Sequence, residues 1–216
     1  MRGLLADVGQ IRQNPMKDTT VIFDLGNVVL FCDHRIFCRK VGRRHHIGVE
    51  LAYRKIFLEG LEYEFDKGEI SPETFAARCS AALKVKLDVD QFKKMWSDIF
   101  TQNRPVVDLI KALRKRGRSR LLLLSNTNVW HVEHVKKRYD VLPLFDSLIL
   151  SCEVGHCKPD RRIYQRAISL STDPTQIIYV DDIPEYVKAA CKLGIFGIPY
   201  TGAPELKGIL QARGLL

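Results

Sequence analysis

The chain has 216 residues, enough for one full-size domain or a domain with a modest insertion. Its 46% hydrophobic and 27% charged content excludes a disordered tail or a collagen-like repeat, and no uncharged apolar run approaches the roughly 18 residues of a membrane span. Thirty-four Lys and Arg against 25 Asp and Glu leave a net charge of +9, which suits a polyanion, an anionic surface or a small anionic substrate alike.

Residues 1–15 lack the apolar core and small-residue cleavage site of a secretory signal. Residues 1–16 are therefore read as an N-terminal extension, and a product starting at Met16 would lose no motif discussed below. Residues 20–23 (TVIF) form a β-branched and aromatic run ending in Asp24 and Gly26, the pattern of a buried strand feeding a loop. Residues 34–100 carry helical periodicity and little strand character, with a helix start at Ser71, Pro72 and Glu73. Val106, Leu109, Ile110 and Leu113 mark a helix face stopped at Gly117. Further strands are expected over residues 120–124, 147–150, 176–180 and 195–199, with helices in the gaps.

Strands alternating with helices predict an α/β, Rossmann-like three-layer sandwich with a parallel sheet covered on both faces. The stretch between the first two strands is far longer than a crossover needs. It is read as an inserted α-helical cap subdomain over 34–100, leaving 17–33 and 101–216 as the core.

Six cysteines without a CxxC pair suit a reduced, intracellular thiol set, and a cytoplasmic location is expected. Cys152, His156 and Cys157, or His131 and His134, are weak zinc signals, since neither has a second pair of ligands. Lys111 to Lys115 and the arginines through Arg120, with Lys136, Lys137 and Arg138, make basic runs. No aromatics interleave with them, so they are read as solvated helix ends and not as a nucleic-acid surface.

Ligands in open parallel sheets collect beyond the carboxyl ends of the strands. Asp24 follows the first strand, Ser125 and Asn126 the second, and Asp181 and Asp182 the fourth, with Lys158 in the loop after the third. Converging carboxylates repel unless a cation or a lysine neutralises them. A hard divalent ion with oxygen ligands, Mg²⁺ in the usual cellular case, fits such a set. A lysine and a hydroxyl beside it suit a phosphoryl group. Each residue alone has a structural explanation as a cap, a turn or a solvated charge. Four such sites at successive strand ends are harder to explain that way.

In this order FDLGNV (23–28), LLSNTN (123–128), CKPDRRIYQ (157–165) and YVDDI (179–183) resemble the four motifs of the haloacid dehalogenase-like hydrolase superfamily. The wording is similar to the glucose-1-phosphate phosphatase type and to the phosphatase domain of soluble epoxide hydrolase. FDKGEIS (65–71) resembles the helical cap of that subclass. The resemblance implies a Mg²⁺-dependent phosphatase of a small phosphorylated metabolite, such as a sugar 1-phosphate. It implies Asp24 as nucleophile, Ser125 and Asn126 on the phosphoryl group, and Lys158 on both phosphate and Asp24. Asp24, the Gly26 carbonyl, Asp181 and Asp182 would hold the metal.

One departure stands out. The family's phosphatases carry a second aspartate two residues after the nucleophile as acid/base, and here that position is Gly26. General acid–base help is worth about 10²–10⁴ in rate. A substrate with a good leaving group, a cap-side substitute (Asp33, His34, His45 or His46), or a weakly active or non-catalytic binding protein would each account for the glycine. A metal-independent haloacid dehalogenase-type hydrolase is the nearest enzymatic alternative, though an acidic pair after the fourth strand is poorly motivated there. Tyr53, Phe57, Tyr63 and Phe65 are read as the cap's own core before a pocket lining. No membrane or nucleic-acid partner is expected, and a monomer is.

Overall fold

A computed structural model describes residues 19–216; the extension expected over residues 1–16 lies outside the described residues. In chain order, β1 (Thr19–Phe23) is followed by a short β2 (Leu30–Cys32). Five helices come next: α1 (His34–His45), α2 (Val49–Tyr53) running into a π-helical turn at Arg54–Leu58, α3 (Leu61–Asp66), α4 (Pro72–Leu83) and α5 (Val89–Ser97). The chain returns through β3 (Phe100–Gln102), α6 (Arg104–Arg116), β4 (Ser119–Ser125), α7 (Val129–Arg138), β5 (Ser147–Leu150) and the single-turn α8 (Ser151–Val154). It closes with α9 (Arg161–Ser169), β6 (Ile177–Asp181), α10 (Pro184–Cys191), β7 (Phe196–Pro199) and α11 (Ala203–Ala212).

The five main strands form one parallel sheet in the order β5-β4-β1-β6-β7. Side chains alternate faces along a strand, and both faces are covered. Val21, Phe23, Leu121, Leu123, Ile178 and Val180 pack with α6 and α11 on one side. Ile22, Leu122, Leu124, Ile177 and Tyr179 pack with α9 and α10 on the other. This is why the strands read as continuous apolar runs. The chain leaves β1 toward β4 and continues outward from β6 toward β7, so a crevice opens between β1 and β6 at their carboxyl ends.

Helices α1 to α5 have an apolar centre of their own, built on Phe37, Phe75, Phe92 and Trp96 with Trp130 of α7 against them. Ser71 caps α4 by accepting from the Thr74 backbone N–H at 3.2 Å, with Pro72 in the first turn. The ribbon of β2 and β3 brackets residues 34–100 and is not among the strands expected from the sequence. Leu30, Phe31 and Cys32 pair antiparallel with Gln102, Thr101 and Phe100. Three residues per strand are too few for alternation to register in the sequence. Gly68, at φ 73°, presses the loop after α3 onto α8, where a Cβ would lie 2.5 Å from the Cys152 carbonyl oxygen. Among the described residues no helix is long and apolar enough to cross a membrane.

Candidate active site

Asp24 continues the line of β1, and its N–H donates to the Val180 carbonyl at 2.9 Å. That bond fixes its side chain beside the end of β6. Lys158 reaches the same point from the loop after α8, and its side chain is only 1% exposed. Its Nζ donates to Asp24 Oδ1 at 2.8 Å and to Asp181 Oδ2 at 2.7 Å. The lysine therefore bridges two strand ends 157 residues apart in the chain by way of β1 and β6.

Asn126 holds that lysine by its backbone. Its Oδ1 accepts from the Lys158 N–H at 2.7 Å and its Nδ2 donates to the Lys158 carbonyl at 3.0 Å. Asp181 is equally constrained: Oδ1 accepts from the Ile183 N–H at 2.8 Å, and Oδ2 accepts from Lys158 and the Tyr179 hydroxyl. Asp182 is half-buried. Asp24, Asp181 and Asp182 each offer a carboxylate oxygen within 4.8 Å of the others. Ser125, buried at the end of β4, and Gly26 border the same space.

The electrostatics match three carboxyls facing one ammonium. Burial pushes Asp24 up to about 7, opposed by Lys158 and reinforced by Asp181. Burial and Asp181 also raise Asp182. Burial pulls Lys158 down, but Asp24 and Asp181 together overcome it and hold the amine above its usual value. The set is short of positive charge, and its donors are hard oxygens. Those two properties fit a small divalent cation such as Mg²⁺.

A cavity of about 360 Å³ lies over these groups, and its far wall comes from the helical insertion. His34 of α1 and Glu62 of α3 meet there at 3.3 Å. Glu62 and Asp66 stand four residues apart on one face of α3. Burial pushes Asp66 up to about 7, and burial with Asp66 nearby lifts Glu62 well above the usual carboxylate range. Burial also depresses His34 to about 4 and His131 to about 3.

Asn128 joins the two walls. Its Nδ2 donates to Asp66 Oδ1 at 2.8 Å, while its Oδ1 accepts from Trp96 Nε1 at 3.3 Å and from the His131 N–H at 3.1 Å. Ser151 adds a bond from its hydroxyl to the Asp66 carbonyl at 2.5 Å.

Of the residues singled out at the strand ends, Asp24, Gly26, Ser125, Asn126, Lys158 and Asp182 line this cavity, and Asp181 is buried behind it against Lys158. Several cap-side expectations need correction. Asp33 caps α1, accepting from the Arg35 N–H, and pairs with Arg39 at 2.8 Å. His45 and His46 lie at the far end of α1, roughly 16 Å from His34 at 1.5 Å per residue. Of those four, only His34 lines the cavity. Phe65 is core and Tyr53 and Phe57 pack against that core, as expected, while Phe57 and Tyr63 also line the cavity. His131 sits between Trp96 O and Asn128, with Nε2 and Nδ1 both in contact, which leaves no free nitrogen for a metal. Glu62 and Asp66 are marked in the sequence only by their i, i+4 spacing on a short helix.

A family model described as haloacid dehalogenase-like hydrolase matches residues 19–194. The acyl-CoA dehydrogenase family member 10 of Mus musculus is 34% identical over 161 residues, covering 68% of this chain and 14% of that protein. The bifunctional epoxide hydrolase 2 of Mus musculus is 27% identical over 183 residues, covering 76% and 32%. The chain thus spans a third or less of these two relatives. Among solved structures, a HAD-like family hydrolase from Porphyromonas gingivalis superposes with TM-score 0.76 at 24% identity, covering 90% of this chain and 98% of that one. A HAD family enzyme from Bacteroides thetaiotaomicron, solved with magnesium and inorganic phosphate, gives TM-score 0.70 at 24% identity, covering 84% and 93%. At that identity the structural likeness speaks to the fold.

Proposed function

The chain belongs to the haloacid dehalogenase-like hydrolase family, and on that premise we propose that it is a Mg²⁺-dependent phosphatase of small phosphate monoesters, acting through an aspartyl-phosphate on Asp24. The observation that carries this reading is the buried bridge from Lys158 to Asp24 and Asp181 beside a third carboxyl, Asp182. A magnesium and phosphate complex of a protein with the same fold is consistent with it.

In this reading Asp24 attacks phosphorus in line and forms the acyl phosphate. Lys158 opposes the burial that favours a protonated Asp24 and orients the attacking carboxylate, and its ammonium offsets charge on the transferred group. Ser125 donates its hydroxyl to a phosphoryl oxygen. Asn126, which grips both sides of the Lys158 peptide, acts as a positioning residue. Asp24, Asp182 and the Gly26 carbonyl would hold the metal. Asp181, whose oxygens already accept from Lys158, Tyr179 and Ile183, supports them from behind. Mg²⁺, when bound, supplies Lewis-acid stabilisation of phosphoryl charge. Residues 34–100 act as a cap over a core of residues 17–33 and 101–216, excluding water and recognising the alcohol part of the substrate.

Inorganic phosphate release from a panel of phosphate monoesters, with Mg²⁺ and with EDTA, tests the reading. Release that needs Mg²⁺ and disappears in Asp24→Asn is expected. Turnover that survives chelation would point to the metal-independent dehalogenase branch and reject the proposal.

A further inference from the structure

The core leaves the leaving-group proton without a donor. A Cβ at Gly26 would lie 3.4 Å from Cys32 Sγ and 3.9 Å from Asp24 Oδ2. A side chain there would therefore project toward the nucleophile, and in this chain none does. Resting on the phosphatase reading, we propose that Glu62, paired with His34 on the cap wall, is the general acid and base of this site.

The geometry comes from three elements. Glu62 on α3 faces the cavity that Asp24, Ser125 and Lys158 border, and its Oε1 lies 3.3 Å from His34 Nε2. Cys32, on β2, lines the same cavity, and the charges of Asp24, Asp182 and Glu62 all act to raise its thiol. The other proton-bearing groups on the walls serve less well. Asp66 Oδ1 is bonded to Asn128, and both His131 nitrogens are in contact. Burial pushes the Cys32 thiol and the Tyr186 phenol up to about 12, too weak as acids near neutrality. His34, depressed by burial, is a neutral partner that holds Glu62 in place. Burial and Asp66 keep the Glu62 carboxyl protonated far above the usual range, as a donor must be.

The steps balance. As Asp24 bonds to phosphorus and the ester P–O bond breaks, Glu62 gives its proton to the departing oxygen, releasing an alcohol. Glu62, now a carboxylate, then takes a proton from a water whose oxygen bonds to phosphorus. Asp24 leaves as carboxylate, Glu62 is protonated again, and phosphate departs.

The test compares wild type, Glu62→Gln and Asp24→Asn in Mg²⁺ on an alkyl phosphate and on p-nitrophenyl phosphate, whose leaving group needs no proton. Glu62→Gln is expected to lose about 10²–10⁴ in kcat/KM on the alkyl ester and little in kcat/KM on the aryl ester, while kcat falls on both because the shared aspartyl-phosphate loses its base; Asp24→Asn loses activity on both. Equal losses in kcat/KM on the two esters, or none on the alkyl ester, would overturn the role of Glu62 while leaving the phosphatase reading intact. Full activity in Asp24→Asn would overturn both. Should Glu62→Gln not fold, wild-type kcat/KM across esters of rising leaving-group pKa still decides. A shallow dependence is expected, and a steep fall for poor leaving groups would refute the proposal.

Discussion

Lys158 is the residue whose removal the structure prices most directly. Its side chain is 1% exposed, with Nζ at 2.8 and 2.7 Å from two carboxylates. Lys158→Met keeps most of the buried stem and removes only the charge. Asp24, Asp181 and Asp182 would then face one another with ligand oxygens within 4.8 Å. Two unit charges about 5 Å apart repel by roughly 3 kcal/mol at an effective dielectric near 20. Breaking a buried ion pair by deleting one partner costs about 3–5 kcal/mol. We therefore expect Lys158→Met to lose about 3–5 kcal/mol in urea denaturation with EDTA present at pH 8. Asp24→Asn in the same background should restore part of it, giving a coupling energy of about 1–3 kcal/mol in the double-mutant cycle. Mg²⁺ should stabilise Lys158→Met more than wild type, because the bare carboxylates bind it without competition. A loss below about 1 kcal/mol, or strict additivity with Asp24→Asn, would refute the reasoning.

Two further predictions concern the contact between the insertion and the sheet. Gly68→Ala forces a Cβ to 2.5 Å from the Cys152 carbonyl at a backbone φ of 73°. It should cost at least about 2 kcal/mol and raise KM more than it lowers kcat; denaturation with unchanged midpoint would contradict this. Asp66 is held at about 7 by burial, above the roughly 3.9 of an unfolded chain. The folded protein thus keeps a proton that the unfolded chain releases. That difference stabilises fully below about pH 4 and is lost as pH rises toward 7. Asp66→Asn preserves an acceptor for Asn128 and should be more stable than wild type at pH 8, with the gap closing at pH 5. A constant difference across that range would contradict it.

The sheet and the strand-end residues were legible because one physical rule connects them. Buried parallel strands read as apolar runs, and their carboxyl ends gather ligands, so Asp24, Ser125, Lys158, Asp181 and Asp182 could be located from where those runs stop. The cap wall obeys no such rule. Helical periodicity reports which face is buried in the insertion's own centre, as for Phe37, Phe75 and Trp96. It does not say which polar residue turns toward a distant strand end, so nothing in the pattern separates Glu62 and Asp66 from Asp33, His45 and His46. The β2–β3 ribbon escaped because three-residue strands carry too little pattern. Resemblance alone points Asn126 toward the phosphoryl group; its two bonds to the Lys158 backbone appear only in three dimensions.

The central claim is that phosphorus is transferred to Asp24, and acid-quenched turnover tests it most directly. With Mg²⁺ and a phosphate ester, peptide mass spectrometry should find one phosphoryl group on the peptide bearing Asp24, removable by hydroxylamine and absent with EDTA or in Asp24→Asn. A phosphoryl group on another residue, or undiminished turnover by Asp24→Asn, would contradict the account.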